Sequence, residues 1–260
     1  MDIYEYNQKS WDRNVDRGEE FTRPVSPDTL SAARQGTWKL FLTPARPAPA
    51  LWFPPLKGTD VLCLGAGGGN HGPILAAAGA RVTVLDLSPR QLLQDQEIAR
   101  QEALELRTVL GNMVDLSTFA ENSFDLIIQP ISNLFVPVIQ PVWAEAYRVL
   151  REGGILMAGF MNPAFYLFDR EKMDGEGILE VRHRLPYSDI EDLSQRELKR
   201  IQSRGWPLEF SHSLEKQIGG QIEAGFLITG FYEDRDARCV LDDYMPVYIA
   251  TRAIKQALPA

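Results

Sequence analysis

The chain has 260 residues, of which 24% are charged, and its formal net charge is −8. A chain of this length can bury a sizeable core without disulfide bonds, and its two cysteines, Cys63 and Cys239, make neither a disulfide framework nor a metal-ligand spacing. The acidic balance disfavours binding to a nucleic-acid backbone, which needs clustered Lys and Arg. We find no apolar run long enough to span a membrane and no secretory signal, and we therefore expect a cytoplasmic protein.

Residues 1–59 are rich first in aromatic residues and then in proline. The stretch WDRNVDRGEEF can form a short helix. The stretch TPARPAPALWFPPLKG cannot, because proline removes backbone donors and disfavours helix in the residue before it. The sequence therefore predicts that 1–59 is a cap or arm packed on the domain that follows, 60–260.

From Asp60 onward, short apolar runs alternate with amphipathic ones. This alternation predicts a parallel sheet with right-handed crossovers. A pair of glycines is expected to close the last of the helices. The predicted strands are DVLCLG, RVTVLD, LRTVLG, FDLIIQ and ILMAGF, and the predicted helices are HGPILAAAGA, SPRQLLQDQEIARQEA and PVWAEAYRVLREGG.

The alternation breaks after Phe160. Residues 161–210 are predicted to be an insert, whose helix SQRELKRIQSRG carries a capping box of Ser194 and Glu197. A helix, SLEKQIGGQIEAG, and two strands, FLITGFYED and PVYIATRAIK, follow, and no helix separates these strands, so they should pair antiparallel. The predicted fold is α/β, with a Rossmann-like, doubly wound, seven-stranded sheet that is mostly parallel with an antiparallel last strand, plus the cap and the insert.

The stretch VLCLGAGGGN places glycines between the first strand and the first helix of the sheet. Such a loop lets a ligand approach the backbone at a helix N-terminus. About twenty residues on, Asp86 ends the second strand, where a carboxylate can accept hydrogen bonds from the hydroxyls of an adenosine ribose. The spacing is G-x-G-x-G, because Asn70 stands where the dinucleotide fingerprint needs glycine. Tight strand–helix packing without a ligand is the alternative interpretation.

The region from Asp60 to Gly159 resembles the class I S-adenosylmethionine-dependent methyltransferases. VLCLGAGGG, VTVLDLSPRQL, GNMVDLSTFAENSFDLII and EAYRVLREGGILM are similar to successive motifs of that family, and the final two strands match it more loosely. YNQKSWD resembles the cap helix of the small-molecule branch, which contains the ubiquinone and menaquinone biosynthesis methyltransferases. The resemblance implies S-adenosylmethionine as the cofactor, S-adenosylhomocysteine as its product and a small-molecule acceptor.

The resemblance also implies the residues that hold the cofactor. Asp86 would bind the ribose, Asn112 would lie beside the adenine, and Trp11 or Tyr6 would contact the cofactor from the cap. Cys63 departs from the family, which usually has an acid there to hold the loop and the methionine amine; we expect water or backbone groups instead. The predicted cofactor-binding residues are Gly65, Ala66, Gly67, Gly69, Asp86, Leu87, Ser88, Gln91, Asn112, Met113, Val114, Gln129 and Trp11.

The sequence identifies no catalytic residue, and the chemistry does not demand one. Methyl transfer from a sulfonium is an in-line displacement, and a general base is needed only if the acceptor must lose a proton. The candidates are His71, Asn133 and His212, whose ordinary alternatives are a helix cap, a loop amide and a structural histidine. The three histidines have no metal-ligand spacing, so no metal site is expected.

Three alternatives to a small-molecule methyltransferase stay open from the sequence. A nicotinamide oxidoreductase conflicts with the glycine spacing. A protein that keeps the fold and binds the cofactor without catalysis is compatible with the missing acid at Cys63. A protein or nucleic-acid acceptor is also compatible, although QPISNLFVP lacks the Asn/Asp-Pro-Pro-aromatic motif of enzymes that methylate base or glutamine nitrogens.

Overall fold

A computed structural model describes residues 1–256, and the strands of this part form one seven-stranded sheet. The strands are β1 Asp60–Leu64, β2 Arg81–Asp86, β3 Leu106–Leu110, β4 Phe124–Gln129, β5 Leu150–Met161, β6 Phe226–Asp234 and β7 Tyr248–Lys255. Their order in the sheet is β3-β2-β1-β4-β5-β7-β6. The first five strands are parallel, and β7 runs antiparallel to both β5 and β6. The predicted sheet and its antiparallel last strand are confirmed.

The helices lie on both faces of the sheet and at its carboxyl edge. A short π-helical segment, Glu215–Gly219, precedes the last of them, within the stretch predicted as one regular helix. Within residues 1–256, no helix is both long and apolar enough to cross a membrane. The α-helices are α1 Ile3–Arg17, α2 Pro27–Arg34, α3 His71–Ala77, α4 Pro89–Glu102, α5 Gln140–Val149, α6 Arg170–Glu176, α7 Asp189–Asp192, α8 Gln195–Arg204 and α9 Gly220–Glu223.

The central strand β1 divides the core into two layers. Val61 and Cys63 belong to the cluster on one face, whereas Leu62 and Leu64 belong to the cluster on the other. All four side chains are fully buried. A strand covered by helices on both faces is apolar on both, which explains why β1 reads as a continuous apolar run. The strand is thereby fixed beneath the loop that leaves its carboxyl end.

Helix α5 ends earlier than the sequence predicts. Its last residue is Val149, and Leu150 already pairs with Phe124 in the sheet. The glycine pair that was expected to close the helix lies inside β5, where the register shifts and Gly153 has a φ of +75°. The prediction was wrong because strand pairing of Leu150 ends the helix before the glycines are reached.

The N-terminal residues cover the carboxyl edge of the sheet. Helix α1 has 15 residues and is longer than predicted, because Asp2 caps its start and Gly18 ends it with a φ of +66°. The segment after it lies against the glycine loop, where the Val25 N–H donates to the Gly69 carbonyl at 2.9 Å. The glycine loop is therefore contacted by this N-terminal segment as well as by the sheet.

Residues 161–210, predicted to be an insert, contribute to a third, smaller hydrophobic core. Phe165, Tyr166 and Tyr187 share this core with residues of the β6–β7 connection. The predicted capping box is confirmed, since Ser194 and Glu197 each bond the other's backbone N–H. Gly205 ends α8 in the left-handed conformation, also as predicted.

Candidate cofactor site

The glycine loop joins β1 to α3 in a space that excludes side chains. Gly65 has a φ of +54°, and a Cβ there would lie 2.7 Å from the Met113 Cε atom and 2.8 Å from the Ser132 Oγ atom. A Cβ on Gly67 would lie 2.8 Å from the Gln91 Cβ atom. The loop therefore lies between Ser132, which follows β4, and Gln91 of α4, and these neighbours leave no room for a side chain.

Asp86 holds the loop from the end of β2. Its Oδ2 atom accepts the Gly67 N–H at 3.1 Å, and its Oδ1 atom accepts the Ser88 N–H at 2.9 Å. Burial raises the pKa of Asp86 to about 6, and the nearby Asp12 carboxylate adds to this effect. A carboxylate at this place has remaining lone pairs for ligand hydroxyls.

A second buried carboxylate, Asp95 of α4, holds the same loop and was missed by the sequence analysis. Its Oδ2 atom accepts the Gly68 N–H at 3.0 Å. Burial raises its pKa to about 8, as does the charge of Asp86. Burial raises the pKa of the Cys63 thiol, and the nearby Asp95 carboxylate adds to this effect. Asp95 thus holds the loop by a side chain from another element, and the expectation that water or backbone groups meet the methionine amine stays a prediction.

Several buried acceptor oxygens around the loop have no donor. The Oε1 atoms of Gln91 and Gln129 and the Oδ1 atom of Asp95 are unpaired among the described residues. The amide nitrogen of Gln129 donates to the Met113 Sδ atom at 3.4 Å, which leaves its oxygen free. A ligand that brings hydrogen-bond donors would satisfy these atoms.

The charge of this site also discriminates between cofactors. The N–H groups of Gly67 and Gly68 are taken by Asp86 and Asp95, so these two do not form the anion-binding nest that a pyrophosphate needs. Within residues 1–256, neither carboxylate forms an ion pair with Lys, Arg or His. S-Adenosylmethionine brings ribose hydroxyls, an ammonium group and a positive sulfonium, so the residues present fit it.

The residues predicted to flank the adenine lie near the glycine loop, and their contacts differ from one to the next. The Asn112 Oδ1 atom accepts the Val114 N–H at 3.2 Å, which makes Asn112 a turn residue in this structure. Met113 is buried against Gly65, and Val114 is half-buried. Adjacent to Asp86, Leu87 is also half-buried. The roles of these residues toward the cofactor stay predictions.

The cap helix α1 is bonded to the start of α4. Ser88 caps α4 by accepting the Gln91 N–H at 3.1 Å, and its hydroxyl donates to the Asp12 carboxylate at 2.6 Å. Trp11 lies edge-on to Phe135 of the β4–α5 loop, with ring centroids 5.1 Å apart. The other cap candidate, Tyr6, donates its hydroxyl to the Trp206 carbonyl at 2.9 Å and so contacts the insert.

The three catalytic candidates do not form one cluster. His71 bonds the Phe41 carbonyl at 2.7 Å and ties α3 to the N-terminal arm. His212 bonds the Asn133 carbonyl at 3.2 Å, while the Asn133 amide donates to the Gln217 Oε1 atom at 2.9 Å. Burial lowers the pKa of both histidines. These contacts give each candidate a structural role.

A cavity of about 710 Å³ lies in the insert, away from the glycine loop. It is lined by Tyr187 and Trp206 and by charged groups that pair with one another, as Arg182 does with Asp169 and Glu197. None of the predicted cofactor residues lines it. This cavity is therefore separate from the predicted cofactor site.

Comparison with known proteins gives the family. Residues 62–158 match the family model described as a methyltransferase domain. The uncharacterized methyltransferase YbaJ of Bacillus subtilis is 50% identical over 250 residues, covering 96% of this chain and 97% of that protein. The ubiquinone/menaquinone biosynthesis C-methyltransferase UbiE of Sinorhizobium fredii is 35% identical over 152 residues, covering 56% of this chain and 57% of that protein.

Solved structures agree on the fold. The crystal structure of an S-adenosylmethionine-dependent methyltransferase from Mesorhizobium loti superposes with a TM-score of 0.60 at 17% identity, covering 78% of this chain and 94% of that one. The glycine loop, the acid that ends β2 and the antiparallel last strand occur together in this chain, as the resemblance of its motifs predicts. The chain belongs to the class I S-adenosylmethionine-dependent methyltransferases.

Proposed function

We propose that this protein transfers the methyl group of S-adenosylmethionine to a small-molecule acceptor bound beneath α1. The observation that carries the proposal is the fully buried Asn7 amide, which fastens α1 over the carboxyl edge of the sheet. It donates to the carbonyls of Phe135 at 3.1 Å and Leu208 at 3.0 Å, and it accepts the Leu208 N–H at 2.7 Å. A cover held by buried hydrogen bonds favours an acceptor that fits under it over a folded polymer.

Two further observations support a small-molecule acceptor. The net charge of −8 is unsuited to a nucleic-acid backbone. The match to a ubiquinone/menaquinone biosynthesis C-methyltransferase also points to this class of acceptor. The chain aligns with only 57% of that protein, so its particular substrate is not carried over.

In this proposal the chain's residues bind and orient rather than exchange protons. The cofactor, when bound, supplies an electrophilic methyl group on a positively charged sulfur. Asp86 would accept hydrogen bonds from the ribose hydroxyls, Gln91 and Gln129 would offer their free oxygens to donors of the cofactor, and the cap would exclude water. Holding two reactants in line can supply about 7–11 kcal/mol of the barrier. His212 keeps its bond to Asn133 and does not act as a base.

The test is methyl transfer from methyl-labelled S-adenosylmethionine into a cell extract separated into small-molecule and macromolecular fractions. We expect label in the small-molecule fraction with the wild-type protein and none with Asp86→Ala. Label confined to the macromolecular fraction would contradict the proposal. Calorimetric titration with S-adenosylmethionine, S-adenosylhomocysteine and NADH accompanies it. Tight binding of the first two without turnover would support the non-catalytic alternative, and binding of NADH alone would support the oxidoreductase.

A further inference from the structure

A buried acid that has no cationic partner among residues 1–256 lies behind the glycine loop. We propose that Asp95 is a positioning residue for S-adenosylmethionine: its carboxyl group fixes the loop from the α4 side and ionises when the cationic donor binds, which favours that donor over its neutral-sulfur product. This inference rests on the proposed cofactor site and adds to it a residue that acts through the loop.

The geometry shows how α4 controls the loop. The Gly68 N–H is shared between the Asp95 Oδ2 atom at 3.0 Å and the Gln91 carbonyl at 3.2 Å. Gly68 has a φ of +101°, a conformation that needs to be held in place. The Gly68 amide is thus oriented from α4 by one side chain and one backbone carbonyl.

The packing of α4 gives no reason for a carboxyl group at this position. Asp95 is fully buried on the same helix face as Leu92 and Ile98, where an apolar residue would satisfy the core. Its Oδ1 atom has no partner among the described residues. Burying an acid without a counter-ion opposes folding. Buried acids that oppose folding in this way are concentrated at functional sites.

The surroundings determine how Asp95 titrates. The titratable groups facing it are Cys63 of β1 and Asp86 of β2, while α3 approaches with the backbone of Gly72. From α1, Asp12 lies beyond Asp86. Burial and Asp86 raise the pKa of Asp95 to about 8, so the free protein holds a proton there at neutral pH. A cationic ligand favours the ionised form, and its binding should release that proton.

The same pKa fixes the sign of a stability effect. In the unfolded chain an aspartate titrates near 3.8, whereas folded Asp95 titrates near 8. Between these values the folded state binds more protons than the unfolded state, so Asp95 lowers stability progressively as pH rises toward 8. Replacing Asp95 by asparagine, an uncharged amide of the same shape, removes this loss of stability.

The experiment compares Asp95→Asn with Glu97→Gln, a matched carboxyl-to-amide change at an exposed position of α4. Thermal unfolding is followed at about pH 5 and about pH 8. Calorimetry with S-adenosylmethionine and S-adenosylhomocysteine at about pH 7.5 uses two buffers that differ in ionisation enthalpy, which reports proton release.

For Asp95→Asn we expect a Tm slightly above that of wild type at about pH 5, where the loss has only begun, and further above it at about pH 8. The Kd for S-adenosylmethionine should rise about tenfold or more, the Kd for S-adenosylhomocysteine should rise less, and proton release should disappear. Glu97→Gln should match wild type throughout.

A purely structural role predicts the opposite pattern: a lower Tm at both pH values with unchanged affinity for both ligands, which would overturn the inference. Wild-type protein that binds neither ligand would instead overturn the proposed function itself. The two failures are distinguished by whether the wild-type titration shows binding.

Discussion

Gly67→Ala puts a methyl group into the narrowest part of the glycine loop. The new Cβ would lie 2.8 Å from the Gln91 Cβ atom and 3.0 Å from the Asp86 Oδ2 atom, and the backbone there is not left-handed, so the effect is steric alone. Overpacking of this kind costs about 1–3 kcal/mol. At about 2–4 °C per kcal/mol for a domain of this size, the Tm should fall by about 2–12 °C.

The cofactor should be affected as well, because Asp86 must move away from the loop. Loss of one charge-assisted hydrogen bond weakens binding about tenfold to a hundredfold. The assay is calorimetric titration with S-adenosylhomocysteine beside thermal unfolding. Gly175→Ala is the control, since its Cβ meets nothing within 4 Å, and it should leave both quantities near wild type. Wild-type affinity in Gly67→Ala would refute the assignment of this loop to the cofactor.

Three further outcomes are expected. Because the pKa of Asp86 is raised to about 6, the affinity for S-adenosylmethionine should fall as pH is lowered from about 7.5 to about 5. Asp86→Asn should bind the cofactor weakly at both pH values. A wild-type affinity that does not change with pH would contradict this prediction. Asn7→Ala should lower the free energy of unfolding, measured in urea, by about 2–4 kcal/mol. The control Lys9→Ala, at an exposed position of α1, should lower it by about 0.5 kcal/mol or less. Equal effects would show that Asn7 does not hold α1 on the sheet. His71→Gln should retain methyl transfer, and complete loss of turnover with intact folding would restore His71 as a catalytic candidate.

The strands and the glycine loop could be predicted because their causes are local. Val61–Leu64 is apolar on both faces because both faces of β1 are covered, and the pattern is visible without knowing what covers them. Gly65 is required by its own positive φ, and Asp86 is placed by the end of its strand. The assignment of 1–59 as an arm and the cofactor roles of the individual residues stay predictions.

Other features depend on residues that meet only in the folded chain. Asn133 finds its partner Gln217 84 residues away, so no spacing could show that its amide is already engaged. A local rule predicts that α5 ends at the glycine pair. The helix ends earlier because Leu150 pairs with Phe124 in the sheet. Asp95 did leave a signal, a charge on the buried face of α4, but the signal did not say what it holds.

The sequence by itself determined the alternation of strands and helices, the antiparallel last strand and the glycine loop with its acid, because backbone conformation and apolar periodicity are properties of short segments. Only the tertiary structure decided which groups stand behind that loop. Asp95 of α4 lies 32 positions after Cys63 in the chain and reaches the loop because α4 packs against β2 and β3. A carboxylate acts through space, and which amide it holds is fixed by the packing of elements.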